Sequence, residues 1–188
     1  MSQAHGSPSR AANPFSDERI IATLALCATR LPDDKDMTAD QDISRVVSAS
    51  REIAAGAETI FELIADPSSQ PRWDGNDNLA SAAAGQRVRR AGDMFTTALT
   101  NGGIRNNHVT EFEEGRRIAW TPSEQGRRPP GHLWRWELEP VGPSRTLVTC
   151  TYDWTRLTDR KRLSRARWTT AERLSASLDR LAALAEQS

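Results

Sequence analysis

Two histidines in the middle of the chain, His108 and His132, carry the side chains best suited to proton exchange near neutral pH. His108 stands between Asn106 and Thr110 in a strand-like stretch, so all three share one face. If that face lines a cavity, His108 can act as a general acid or base. His132 opens a later strand. Neither falls at a metal-ligand spacing, and no Ser/His/Asp set can be assembled from spacing alone. A lone strand histidine is as readily structural or exposed. The run Asp74-Gly75-Asn76-Asp77-Asn78 begins like a calcium loop, but its sixth position is Leu79 and its twelfth is Gly85, where glycine and glutamate are needed. A solvated turn is the expectation. No phosphate-loop or dinucleotide fingerprint occurs, so no cofactor is expected.

A second constellation is aromatic. Trp134, Trp136 and Leu138 alternate along one strand face, and Val148, Cys150, Tyr152 and Trp154 along the next. Together with Trp120, and with Trp73 as a lid near the mouth, they can line an apolar ligand cavity. The alternative is that they fill the core. A third constellation is cationic: Arg156, Arg160, Lys161, Arg162, Arg165 and Arg167, relieved by Asp159. It reads as a solvated face or as an anion site at a helix start. Arg167 is the sharpest member. On a helical wheel continued through Leu174 and Leu178 it faces the sheet, and a buried arginine needs a carboxylate or a ligand anion beside it.

These residues need elements to hold them. The stretch 164–187 places Ala171, Leu174, Leu178, Leu181, Ala182 and Ala185 on one stripe, with Glu172, Arg173, Asp179 and Arg180 outside it. Neither glycine nor proline interrupts it. One helix of about 24 residues, roughly 36 Å long, is predicted. Upstream, 44–53 reads as a strand, Ala57 to Ala65 as a short amphipathic helix closed by Asp66-Pro67, and 68–77 as a turn or short helix. Met94 to Thr100 and Ile104 to Phe112 pair across Asn101-Gly102-Gly103, a hairpin signal. Further strands are predicted at 117–121, 132–139 and 145–154.

The first 42 residues differ in character. Residues 1–14 are expected to be disordered, a short helix is expected near 17–31 behind the Ser16 cap, and Pro32 to Asp42 reads as an acidic linker. They form an N-terminal extension to a domain at 43–188, and Met37 is an alternative start. The residues before Ile20 are acidic, which argues against an export signal. No stretch reaches the roughly 20 apolar residues of a membrane span. Twenty-five basic and 25 acidic residues cancel among 188, so the chain as a whole is not tuned for nucleic acid or an acidic membrane. Cys27 and Cys150 fit neither a disulfide framework nor a metal knuckle. A reducing, cytoplasmic setting is expected.

The order strand, short helices, antiparallel meander, C-terminal helix resembles the helix-grip fold of the START-like, or SRPBCC, superfamily, the polyketide cyclase/dehydrase and lipid-transport group. The resemblance is carried by Val46–Ala55 running into Ala57–Pro67, then Trp73-Asp74, Val109–Phe112 with Arg117–Trp120, the Trp134/Trp136 strand, and Tyr152 to Trp154. It covers 43–188 and is similar to single-domain bacterial members. It implies an α+β fold: a curved antiparallel sheet around the long helix, with a cavity between them. The implied function is binding of a small, largely apolar or amphipathic molecule, with Trp73, Trp120, Trp134, Trp136, Tyr152, Trp154 and Arg167 around it. An enzyme of cyclase or dehydratase type using His108 is the alternative, and a protein-interaction module a third reading.

Overall fold

A computed structural model describes residues 44–187. The N-terminal extension, its helix near 17–31 and the question of Met37 lie outside the described residues. Strand β1 (Val46–Ile53) leads into helix α1 (Ala57–Ala65), a 3-10 turn (Pro67–Ser69) and the single helical turn α2 (Gln70–Trp73). Six strands follow: β2 (Leu79–Ala82), β3 (Met94–Leu99), β4 (Ile104–Glu113), β5 (Arg117–Glu124), β6 (Leu133–Gly142) and β7 (Arg145–Asp153). All seven form one antiparallel sheet in the order β1-β7-β6-β5-β4-β3-β2. The sheet is curled into a half-barrel, as expected for a helix-grip fold. Alternation sets its two faces. Phe95, Val109, Trp120, Trp136, Leu138, Val148, Cys150 and Tyr152 point inward to the core.

Local chemistry explains the short elements. Helix α1 buries Ile60, Phe61, Ile64 and Ala65 at helical spacing and carries Glu58 in its first turn, where the helix dipole favours an acid. Asp66 then caps the 3-10 turn through the Ser68 amide, with Pro67 at its first position. Strand β2 was missed in the sequence because its residues, Leu-Ala-Ser-Ala, have weak β-propensity. Pairing with β3 creates it.

The C-terminal segment corrects the sequence reading. It is not one continuous helix but two, α3 (Arg160–Arg167) and α4 (Ala171–Ala185). Between them Thr170 is extended, at φ −101° and ψ 168°, and forms the N-cap of α4. Adjacent β-branched threonines lose side-chain freedom in a helix, which favours a break at Thr169-Thr170 without glycine or proline. Helix α4 sets Leu174, Leu178, Leu181, Ala182 and Ala185 into the hollow of the sheet. Each leucine so buried contributes about 1.5–3 kcal/mol.

One close approach locks α4 in place. The Gly75 amide donates to Ser177 Oγ at 2.8 Å. Arg180 of α4 donates to the Asp74 carbonyl oxygen at 2.5 Å and to Asp77 Oδ1 at 2.6 Å. A Cβ on Gly75 would stand 2.3 Å from the Arg173 carbonyl oxygen and 2.6 Å from the Ser177 nitrogen. Backbone cannot yield as a side-chain tip can. Gly75→Ala is therefore expected to destabilise the protein by about 1–3 kcal/mol, measured as a fall in the urea midpoint with an unchanged m-value.

Candidate functional site

A cavity with about 160 Å³ of free space lies between the sheet and the helices and opens on one side. Its inner wall is aromatic. Trp73 and Trp136 meet edge to face at 5.0 Å, and Trp134 lies tilted against Tyr152 at 4.6 Å. Trp120 packs on Phe95 behind the wall at 5.5 Å. Trp73 is buried and donates through Nε1 to the Leu63 carbonyl oxygen at 3.0 Å. It is a fixed wall, not the lid that its turn suggested.

Polar groups complete the lining. Asn107 Nδ2 donates to Thr97 Oγ1 at 3.3 Å, and both are buried. Asp74 accepts from the Asn76 and Asn78 amides at 3.1 Å each, so its carboxylate organises the turn 74–78. That turn is structural, as its failed match to a calcium loop suggested. Gln70 and Trp136 also line the cavity, and among the described residues their buried nitrogens, Nε2 and Nε1, have no acceptor.

The sheet itself makes the opening. Strands β5 and β6 pair only from Arg117↔Glu137 to Trp120↔Trp134. Beyond that point they part, and Pro122 sits on the separated stretch of β5 while still opposing Asn107 of β4. A proline has no amide to donate, so it fits where one flank is unpaired. Pro122 of β5 and His132, immediately before β6, then border the cavity. Arg105 of β4 and Arg162 and Arg165 of α3 stand around them. Arg162 is held by Glu124 at 2.5 Å and Asp159 at 3.3 Å. Arg105 donates to the Ile104 carbonyl oxygen at 3.2 Å. Among the described residues neither Arg105 nor Arg165 forms an ion pair with a carboxylate.

This crowding of cations disfavours further positive charge nearby. Burial holds the Arg105 guanidinium below its ordinary value; Glu124 opposes that effect, and Arg165 and Arg162 add to it. Burial, reinforced by Arg162, Arg105 and Arg165, lowers His132 to about 4. His132 is neutral at pH 7 and meets Tyr152 edge to face at 5.9 Å. Burial pushes the Tyr152 phenol up to about 12 against the pull of Arg165.

Four further sequence readings are corrected. His108 is on the opposite face of β4 from Arg105 and Asn107. Its Nε2 is 3.0 Å from Ser123 Oγ, and it does not line the cavity. Alternation had shown which residues share its face, but not which face is concave. Trp154 is buried in the core beyond the cavity, with the Arg45 guanidinium 5.2 Å from its ring centre. Arg167 is exposed. Its wheel position assumed an unbroken helix, and the turn at 168–170 shifts the phase between Arg167 and Leu174. Nor is the start of α3 open to an anion, because Asp159 Oδ1 accepts the Lys161 amide at 3.0 Å. Sequence reasoning missed Arg105 and His132 as cavity residues. Their one signal was membership of alternating strands beside the aromatic set.

This half-barrel recurs in solved structures. Protein MLL2253 from Mesorhizobium loti matches at a TM-score of 0.56 and 17% identity, over 76% of this chain and 98% of that one. The Aha1 dimer from Colwellia psychrerythraea matches at 0.52 and 19%, over 75% and 96%. These likenesses define the fold. The sequence pattern of the polyketide cyclase/dehydrase and lipid transport family matches residues 44–186, and the chain belongs to that family. It is also 31% identical over 111 residues to an uncharacterized protein of Mycobacterium tuberculosis, Rv0088, covering 57% of this chain and 47% of that protein. The chain thus matches about half the length of that curated relative.

The His132 geometry yields a pH dependence. Unfolded, this imidazole takes its proton near 6.5; folded, it resists until about 4. Between these values the unfolded state binds the extra proton, so stability is full above 6.5 and falls as pH drops through the window. The loss reaches about 3 kcal/mol. Denaturant titrations from pH 7 to about 4 should show His132→Gln losing less stability than the unsubstituted protein over that range.

Proposed function

We propose that the cavity binds a small, largely apolar molecule that carries an acidic group. The observation that carries this reading is the gathering of Arg105, Arg162 and Arg165 in the lining of an aromatic-walled cavity, with Arg105 and Arg165 making no carboxylate pair among the described residues. The ligand's anion sits among these arginines, and its body lies between Trp120, Trp134, Trp136 and Tyr152. Space sets its size. About 160 Å³ compares with an apolar cavity of about 150 Å³ that takes up benzene, so one ring or a short branched chain fills the interior. A longer ligand continues into the opening. The unpartnered Gln70 and Trp136 nitrogens suit an acceptor oxygen at the inner end.

Binding is favoured over catalysis because His108, the residue chosen for proton transfer, faces away from the cavity. A cytoplasmic setting belongs to the same reading, since Cys150 is a free and buried thiol. Family membership supports a ligand cavity without naming its occupant.

The test uses 3-phenylpropionate and its methyl ester, which share a body and differ in charge. Both are titrated by tryptophan emission and by shift in melting temperature, in the unsubstituted protein and in an Arg105→Gln, Arg165→Gln variant. The acid should bind the unsubstituted protein more tightly, and the variant should weaken the acid about 10- to 100-fold while barely changing the ester. Equal binding of acid and ester, or no response to either, overturns the proposal.

A further inference from the structure

The neutral overall charge conceals an uneven pairing. At the β4–β5 turn Glu113 pairs with Arg116 and Arg117, and Glu114 with Arg87. At the other end of the sheet cations outnumber their partners. Arg156, Arg160, Lys161, Arg165 and Arg167 are all exposed within one short segment. None of them forms an ion pair with a carboxylate among the described residues.

Helix α3 presents these charges in one direction. It turns Ala166 inward and half-buries Arg162 and Leu163, leaving Arg160, Lys161, Ser164, Arg165 and Arg167 exposed. The β5–β6 connection adds Arg127 and Arg128, both exposed. That connection is fastened near α3 at both ends. Glu124 bonds Arg162 at one end. At the other, the Gly131 backbone packs so closely that a Cβ there would stand 2.2 Å from the Arg156 carbonyl oxygen. Seven cations therefore share one end of the molecule, and their mutual repulsion is a standing cost that the fold retains.

Trp168 adds the second half of the argument. It follows α3 directly, is 62% exposed, and is the most exposed large apolar side chain of the described residues. The Arg173 guanidinium stacks 3.5 Å above its ring and holds it in place. A fixed, outward tryptophan among unpaired cations has the composition of a membrane-interface contact, with the ring at headgroup level and the charges on phosphates. A single-stranded nucleic acid would instead call for a row of aromatics along a groove. Arg162, Arg165, Ala166 and Thr169 of the same segment also line the cavity.

We infer that the α3 face, with Arg127, Arg128 and Trp168, docks on an anionic lipid bilayer and brings the cavity opening to its surface. Attraction of this kind needs anionic headgroups and weakens as salt shortens the Debye length to about 10 Å at 0.1 M. Arg160, Lys161, Arg167 and Trp168 do not line the cavity, so this inference can fail while the ligand proposal stands.

The full chain is co-sedimented with vesicles of phosphatidylcholine alone and of phosphatidylcholine mixed with phosphatidylglycerol, at low and at raised salt. Binding should require phosphatidylglycerol and fall as salt rises. The triple variant Arg160→Gln, Lys161→Gln, Arg167→Gln should bind about 100-fold more weakly, at about fivefold per charge removed. Its response to 3-phenylpropionate should match that of the unsubstituted protein. A control, Arg89→Gln, Arg90→Gln, Arg116→Gln, loses the same charge away from this face and should bind vesicles as before. Trp168→Ser should lower the binding left at raised salt. The inference is overturned if anionic vesicles are not bound, if neutral vesicles are bound equally, or if the two triple variants behave alike. Tighter binding of homopolymer RNA than of the anionic vesicles would also overturn it and assign the face to nucleic acid.

Discussion

Helix α4 and the hollow of the sheet bury one another, and the rest of the molecule depends on that contact. A curled antiparallel sheet exposes a continuous apolar concavity, and a one-faced helix exposes a stripe. Leu174, Leu178 and Leu181 are almost fully removed from solvent by it. The seam needs more than apolar matching. The Gly75 backbone must come close enough for its amide to reach Ser177 Oγ, which only a residue without a Cβ permits. That hydrogen bond joins the 74–78 turn to α4 and fixes Trp73, which leans on Trp136 inside the sheet.

The cavity exists because this packing is incomplete at one end. Helix α4 begins at Ala171, and the chain before it turns away at Thr169-Thr170 instead of continuing along the sheet. At the same end β5 and β6 cease to pair beyond Trp120 and Trp134. Both interruptions have local causes: β-branched residues at a helix cap and a proline in a strand. Space left by the two is bordered by Trp134, His132 and Tyr152 from the sheet and by α3 from the other side. Had the helix run unbroken through 164–187, Arg167 would have been carried onto the face that lies against the sheet.

Charge follows the same geometry. Carboxylates and arginines away from the cavity neutralise one another in pairs such as Arg135–Glu111 and Arg87–Glu62. Around the opening Glu124 and Asp159 form ion pairs, among the described residues, with Arg162 alone, and the remaining cations face solvent or the cavity. Burial of Arg105 and His132, reinforced by repulsion from the neighbouring arginines, makes this a place where an anion gains and a further cation loses.

Much of the fold was legible in the sequence. Period-two alternation at 94–99, 104–113 and 145–153, the Asn101-Gly102-Gly103 turn and the stripe of α4 are local signals, and each is carried by residues that touch in the chain or along one helix face. They determined six of the seven strands and which side chains share a face, including Trp134 with Trp136 and Cys150 with Tyr152; β2 and the break between α3 and α4 carried no such signal. What they could not determine was the sign of each face. Whether His108 or Asn107 looks into the hollow depends on the curl of the sheet and on where α4 lies, and these are set by contacts far apart in sequence. The same holds for Arg167. Its wheel phase was a sound inference from an unbroken helix, but the break at Thr169-Thr170 let tertiary packing orient α3 independently of α4. Sequence by itself therefore determined most of the elements and which aromatic side chains share a strand face. Tertiary structure alone decided which arginines meet that wall, because side chains from β4 and α3 become neighbours only after the sheet has curled and the final helix has broken.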